Sequence, residues 1–339
     1  MMRRIGAIVG LIAAGLAITV ATGWGAGVLF YLGPGPGGVR TTLAWIFVAL
    51  GLVVVGALAV RRARRPAAIA FLAAFALVWV VWESPTPSND RDWQPEVAVL
   101  PYATLNGDLV TVHNIRNFDY RTETDFTPAY YDRTFDLRKL DRVDLAAVYW
   151  MGPAIAHLFV TFGFGDDHLA ISIEARKEKG EGYSSAKGFF RQYELYYVVA
   201  DERDVVRVRT NYRKDPPEDV YIYRTVGPTE NARRVFLEYV RRLNDLREHP
   251  EFYNTLTTNC TTAILTNTRV NPEPLPFSWK VLLSGYTPAY VYESGRMDRS
   301  LPFEELQRRS LVNAAGKAAD QAPDFSRRIR AGLPSPAGR

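Results

Sequence analysis

The chain opens with long apolar runs. No charged residue occurs from Ile5 to Tyr31, from Thr41 to Val60, or from Ala67 to Trp82. The first run has 27 residues, more than the roughly 20 a helix needs to cross a hydrocarbon core about 30 Å thick. The second meets that length. The third is shorter but usable, and Trp79 and Trp82 stand where indole rings favour a membrane interface. Residues 1–83 therefore predict a three-helix transmembrane anchor. The first run is too long for the apolar stretch of a cleaved signal peptide, and two further runs follow it.

Glu83 to Pro95 is rich in Pro, Ser and Asp and predicts a linker over 84–95. The pattern then changes to alternation. VAVLPY, DLVTVHNI, HLFVTFGF, HLAISIEAR and FFRQYELYYVVA place apolar and polar residues on opposite faces, as half-buried strands of an antiparallel sheet do. Helical spacing follows, with Thr229 as a cap. Val235, Phe236, Tyr239, Val240, Leu243 and Leu246 form one apolar face before Pro250 stops the helix. A second helix is expected from Thr258 or Asn259 through Ile264 and Leu265, with Cys260 in its first turn. After Val312 the composition turns to Ala, Gly, Pro, Ser and Arg without a periodic face, which predicts a loose tail over 313–339. Strands followed by helices over 96–312 make the expected class α+β.

Charge changes the picture once it is divided along the chain. The net +5 comes with seven arginines (Arg3, Arg4, Arg40, Arg61, Arg62, Arg64, Arg65) before Glu83, leaving 34 basic and 35 acidic residues from position 84 on. The basic balance thus belongs to membrane flanks and gives no footing for nucleic-acid binding. Cytoplasmic flanks are the ones enriched in Arg and Lys. Arg3, Arg4 and the 61–65 cluster therefore predict a cytoplasmic N-terminus, and three crossings deliver everything after Trp82 to the periplasm of a bacterial inner membrane.

Candidate chemistry centres on Cys260, which has no second cysteine to pair with in an oxidising compartment. A packed thiol is the bland alternative, but the setting FYNTLTTNCTT is polar. At a helix N-terminus the free N–H groups and the dipole stabilise a thiolate, and the same groups can hold an oxyanion; Asn259 is the expected cap. A base is needed, and four histidines are available. His249 reads as a C-terminal charge complement of the first helix, and His113 and His157 read as packed imidazoles in strand-like segments. His168 opens a strand after the turn GFGDD and is the expected base. Tyr193 and Glu194, on the strand returning beside it, are the expected orienting group, with Glu174 a weaker candidate. Asp166 or Asp167 could join His168 at a metal, but no second His or Cys lies at ligand spacing, so no metal or cofactor is expected.

The segments NIRNFDYR (114–121), TFDLRKL (134–140), GPAIAH (152–157), HLAISIEAR (168–176), FFRQYELYYVVADERD (189–204) and FYNTLTTNCTT (252–262) together resemble a bacterial family of membrane-anchored periplasmic domains. That family shares its domain with the N-terminal periplasmic part of Lnb, a lipoprotein N-acyltransferase. The resemblance spans roughly residues 95–300. It implies a permuted papain-like or NlpC-type fold in which the His strand precedes the Cys helix, and it implies acyl transfer through Cys260 and His168. Here, however, three spans precede the domain, whereas Lnb-type enzymes place the domain ahead of their membrane helices. Three readings follow. The leading one is a thiol acyltransferase or hydrolase acting on lipid esters or lipoproteins, with membrane lipids as partners. The second is an amidase or cysteine peptidase on peptidoglycan peptides, and the third is a non-enzymatic envelope scaffold.

Overall fold

The computed structural model describes residues 2–334, and within them the chain divides into two units, 2–87 with 184–192, and 88–183 with 193–334. The first unit contains α1 (Met2–Leu32), α2 (Gly37–Ala57) and α3 (Arg64–Glu83). All three are long and apolar enough to cross a membrane. Small residues let them approach closely. A Cβ on Gly25 would lie 2.4 Å from the Phe47 ring, and one on Gly51 would lie 2.2 Å from Thr22 Oγ1. Phe47 and Phe71 stack at 5.7 Å, and Trp24 contacts Phe75, Trp79 and Trp82.

The same unit includes a short piece from far along the sequence, 184–192, which carries α4 (Ser185–Phe189). Phe190 stacks on Tyr31 at 5.0 Å and fills the space left by Gly27, whose Cβ would be 2.2 Å from its ring. Arg191 lies 4.2 Å over the Trp82 ring, donates to the Trp82 carbonyl at 2.8 Å, and pairs with Glu83 at 3.3 Å.

The second unit is built on an eight-stranded sheet. Its strands are β1 (Tyr102–Asn106), β2 (Leu109–Arg116), β5 (Tyr130–Asp136), β6 (Leu140–Tyr149), β7 (Ala156–Phe164), β8 (Asp167–Arg176), β9 (Glu194–Ala200) and β10 (Asp219–Arg224), with the small pair β3 (Asp119–Tyr120) and β4 (Phe126–Thr127) apart from it. The order is β1-β2-β9-β8-β7-β6-β10, with β5 also paired to β2. Pairing is antiparallel except at the β2–β9 contact, so the sheet is mixed.

Alternation assigns the two faces. Leu145, Leu158, Val160, Phe162, Ile171, Ile173 and Tyr197 face α6 (Thr229–Glu248) and α7 (Cys260–Asn267). Ala146, Val148, Phe159, Ala170, Val198 and Ile222 face α5 (Glu202–Arg207) and the C-terminal segment. The expected α+β architecture is therefore the observed one, completed by α8 (Trp279–Leu282), α9 (Thr287–Glu293), α10 (Phe303–Arg309), α11 (Asn313–Ala318) and α12 (Phe325–Arg328).

Two sequence expectations are corrected here. The tail expected from 313 is packed as far as residue 334: Ala319, Phe325 and Ile329 are buried, and Arg330 reaches Asp144 at 2.9 Å and Glu202 at 2.6 Å. Two short helices each supply one or two apolar anchors, so no periodic face marks them in one dimension; residues 335–339 lie outside the described residues. The linker expected over 84–95 is likewise partly domain. Trp93 is buried under the Arg176 guanidinium at 4.3 Å, and Asn89 Nδ2 donates to the last carbonyls of α6, Leu246 and Arg247. Polar composition concealed these anchors.

Candidate functional site

The loop before α7 is wound by its own amides. Asn254 Oδ1 accepts from the N–H groups of Leu256 and Thr257 at 2.9 and 3.1 Å, and Asn259 Nδ2 donates to the Thr255 carbonyl at 2.6 Å. Asn259 then caps the helix: its Oδ1 accepts from Thr261 and Thr262 N–H, both at 2.9 Å, while Thr262 Oγ1 accepts from Asn259 N–H at 3.0 Å. This reciprocal cap sets Cys260 as the first helical residue, as the sequence led one to expect, and leaves its own N–H outside the cap's bonds.

The Cys260 thiol is half-buried and free. Burial pushes its pKa up, opposed by N–H donation from the backbone of Leu158 and of Thr261 and by the Thr261 hydroxyl at 3.7 Å. The Leu158 contact has a structural origin. The ladder between β7 and β8 runs from Phe164 opposite Asp167 to Phe159 opposite Ser172 and ends there. Beyond that point Ala156–Leu158 pair only with β6, and Ile173–Arg176 only with β9, so the two strands part. The sulfur is held at this opening.

The residue before Leu158 is His157. Its Nε2 is 2.7 Å from Ser172 Oγ and 3.6 Å from Glu174 Oε1. The Ser172 hydroxyl donates its one proton to Glu174 at 2.9 Å, so toward His157 it can only accept. That assigns the proton of the neutral imidazole to Nε2 and leaves Nδ1 as the basic nitrogen. Burial, then Arg209, push the His157 pKa down to about 4, against the raising effect of Glu174. Burial would raise Glu174, but His157 and Arg209, the latter at 3.3 Å, hold it down to about 2. Thiol, imidazole and carboxylate thus stand at neutral pH as SH, neutral ring and anion.

The expected base, His168, is not brought to the thiol. It lies opposite Gly163 near the turn end of β8, four residues from Ser172, or about 13 Å along a strand. Its side chain shares the α5 face with Ser172 and Glu174 but sits among Glu202, Arg330, Asp144 and Arg142 rather than near Leu158, and its Nε2 is buried without a hydrogen-bond partner. Tyr193 and Glu194 are placed elsewhere as well. The Tyr193 hydroxyl donates to the Gly182 carbonyl at 2.7 Å, and Glu194 pairs with Arg91 at 2.8 Å and accepts from Ser88 N–H at 3.2 Å. Tyr193 meets the site only indirectly, since its carbonyl accepts from the N–H of Tyr253, a neighbour of Cys260. His113 is occupied with Asp132 at 2.7 Å, and His249 ends α6. The sequence reading gives His157 only a packing role, leaves Ser172 unweighed and ranks Glu174 behind Tyr193 and Glu194; the structure joins these three by hydrogen bonds and an ion pair. The available signal was GPAIAH, where a histidine follows a Gly-Pro turn, together with Ser172 and Glu174 at period-two spacing.

Beside α7 lies a cavity of about 180 Å³ between the sheet, α6 and the segment leading to α9. Leu158, Val160, Val235, Ile264, Leu265 and Val281 give it a largely apolar wall, and Thr261 and Tyr239 line the side toward Cys260.

Residues 126–285 match the family model of the Lnb N-terminal periplasmic domain, a stretch that includes His157, Ser172, Glu174 and Cys260. No curated protein and no solved structure matches the chain. With three helices of membrane-spanning length ahead of that stretch, the chain is a membrane protein carrying an Lnb N-terminal periplasmic domain.

Proposed function

We propose that this protein is a thiol acyltransferase or hydrolase acting on lipid esters or lipoproteins, a multi-pass protein of the bacterial inner membrane with its second unit in the periplasm. The observation that carries the reading is the Cys260 thiol at the first residue of α7, its sulfur near the Leu158 backbone, one residue along the strand from the His157–Ser172–Glu174 chain. The order of His strand, polar strand and Cys helix also suits the permuted papain-like arrangement. The apolar wall of the adjoining cavity favours a hydrocarbon-bearing substrate over a cell-wall peptide.

Cys260 Sγ attacks the ester carbonyl and gives its proton to His157 Nδ1, while Nε2–H stays bonded to Ser172 and the Glu174 carboxylate stabilises the imidazolium that forms. The oxyanion is stabilised by the Cys260 N–H at the start of α7. Collapse breaks the ester C–O bond, and His157 returns the proton to the departing alcohol. An amine or water then attacks the thioester and frees the thiol.

The test uses purified protein in nanodiscs with phospholipid and a diacylated lipopeptide, followed by intact-mass analysis. An acyl adduct on Cys260, absent in Cys260→Ser and His157→Ala but retained in His168→Ala, is expected. Folded protein giving neither adduct nor altered peptide would overturn the reading.

A further inference from the structure

The second unit exposes apolar side chains in one place more densely than its surface elsewhere requires. Phe277 is 64% exposed, Trp279 56%, Leu282 46% and Leu283 39%, on the segment 274–286; Met151 is 65% and Ile155 36% exposed, on the turn between β6 and β7. The two stretches are joined: Gly285 N–H donates to the Ala154 carbonyl at 3.0 Å, Ala156 N–H to Ser284 Oγ at 2.9 Å, and the Tyr149 hydroxyl to the Gly285 carbonyl at 2.7 Å. A Cβ on Gly285 would stand 2.1 Å from the Pro153 carbonyl oxygen, so glycine is what permits this close approach. The patch is therefore one surface.

We infer that this surface enters the interfacial layer of the lipid bilayer. Charge supports lipid as the occupant: from 274 to 286 the sole ionisable cation or acid is Lys280, and Glu293 neutralises it at 2.6 Å. Exposed Trp and Phe beside aliphatic residues are the types that partition to the membrane interface, and a water-facing monomer rarely carries such a cluster without use. Chain connectivity supports it independently. Only residues 84–87 separate the end of α3 from the second unit, about 14 Å at full extension, and the chain passes between the units again at 183/184 and 192/193. The second unit is thus tethered to the bilayer, the apolar phase to which this chain is joined. Leu275 and Val281 of the same segment also wall the cavity beside α7, so the surface borders a path from lipid toward that helix. This inference concerns docking and does not depend on the thiol chemistry.

With a single native cysteine, site-specific labelling is direct. In a Cys260→Ser background, Trp279→Cys and Leu282→Cys carry nitroxides, with Leu105→Cys, 53% exposed in β1, as reference. In nanodiscs, collisions with oxygen should exceed those with a water-soluble nickel chelate at 279 and 282, and the order should reverse at 105. Labels at 279 and 282 that behave like the one at 105, or that are shielded from both reagents as in a protein contact, would overturn the inference. In the unmodified protein, a diazirine phospholipid should photolabel peptides covering 274–286; labelling confined to the spans would overturn it equally.

Discussion

Among the four histidines, His157, which the sequence presents as a packed imidazole, is distinguished by what surrounds its ring. Burial and Arg209 hold its pKa down to about 4, so the base form persists below the ordinary histidine range. The acid limb of kcat/KM for acyl release should therefore fall near pH 4 rather than 6.5, which a pH profile on phospholipid measures directly; a limb at 6.5 would remove His157 from the role. The thiol side is complementary. Burial raises the Cys260 pKa, so alkylation by iodoacetamide should be slow at neutral pH and climb as pH rises past 9, and a plateau reached already at pH 6 would indicate a preformed thiolate instead. Removing the orienting hydroxyl in Ser172→Ala should lower kcat about 10- to 100-fold, less than the roughly 10²- to 10⁴-fold expected of His157→Ala, because the ring remains and loses only its fixed tautomer. His168→Ala should leave the rate unchanged.

At the scale of elements, two local devices hold the site in place. One is the Asn259 cap, whose loss in Asn259→Ala frees two N–H groups at the start of α7 and costs about 1 kcal/mol. For a unit of this size that lowers Tm by about 2–4 °C. Asn259→Ser, which retains a capping oxygen, should recover most of the loss; equal melting of all three proteins would show that the loop, wound by Asn254, sets the helix start alone. The other is the end of the β7–β8 ladder. Strand alternation was legible in the sequence, because period-two burial needs only the residue types. The residue at which two paired strands part was not, since it depends on register and on what is wedged between them. His157 and His168 read alike as strand residues, and only the ladder places the first at the opening and the second toward the closed turn end.

Across the whole molecule, long-range charge pairing does what composition concealed. Arg330, near the end of the described residues, closes a buried cluster with Glu202 and Asp144. Burial alone would raise Glu202, but Arg330 holds it down to about 2, below its ordinary 4.5. A carboxylate with a depressed folded pKa contributes stability above its unfolded value and loses it as pH falls from there through about 2. Urea midpoints should accordingly drop between pH 4.5 and 2, and that slope should shrink in Arg330→Met. Removing 313–339 takes the Arg330 cation from Glu202, leaves Asp144 with Arg224 alone, and uncovers the sites of Phe325 and Ile329, a loss of about 3–5 kcal/mol or more. Unchanged denaturation of the truncated protein would show the C-terminal segment to be dispensable.

The sequence by itself determined the three long apolar helices, the alternating strands, the amphipathic α6 and the position of Cys260 at a helix start. Each of these follows from residue types repeating at short range, where the free energy of burial and capping is local. Tertiary structure alone decided that the start of α7 comes near the sheet at Leu158, next in the chain to His157 and away from His168, that Ser172 and Glu174 continue the His157 hydrogen-bond chain, and that residues 313–334 pack onto the core. Those outcomes rest on strand register and on charges paired across more than a hundred residues of chain, and neither leaves a periodic mark in one dimension.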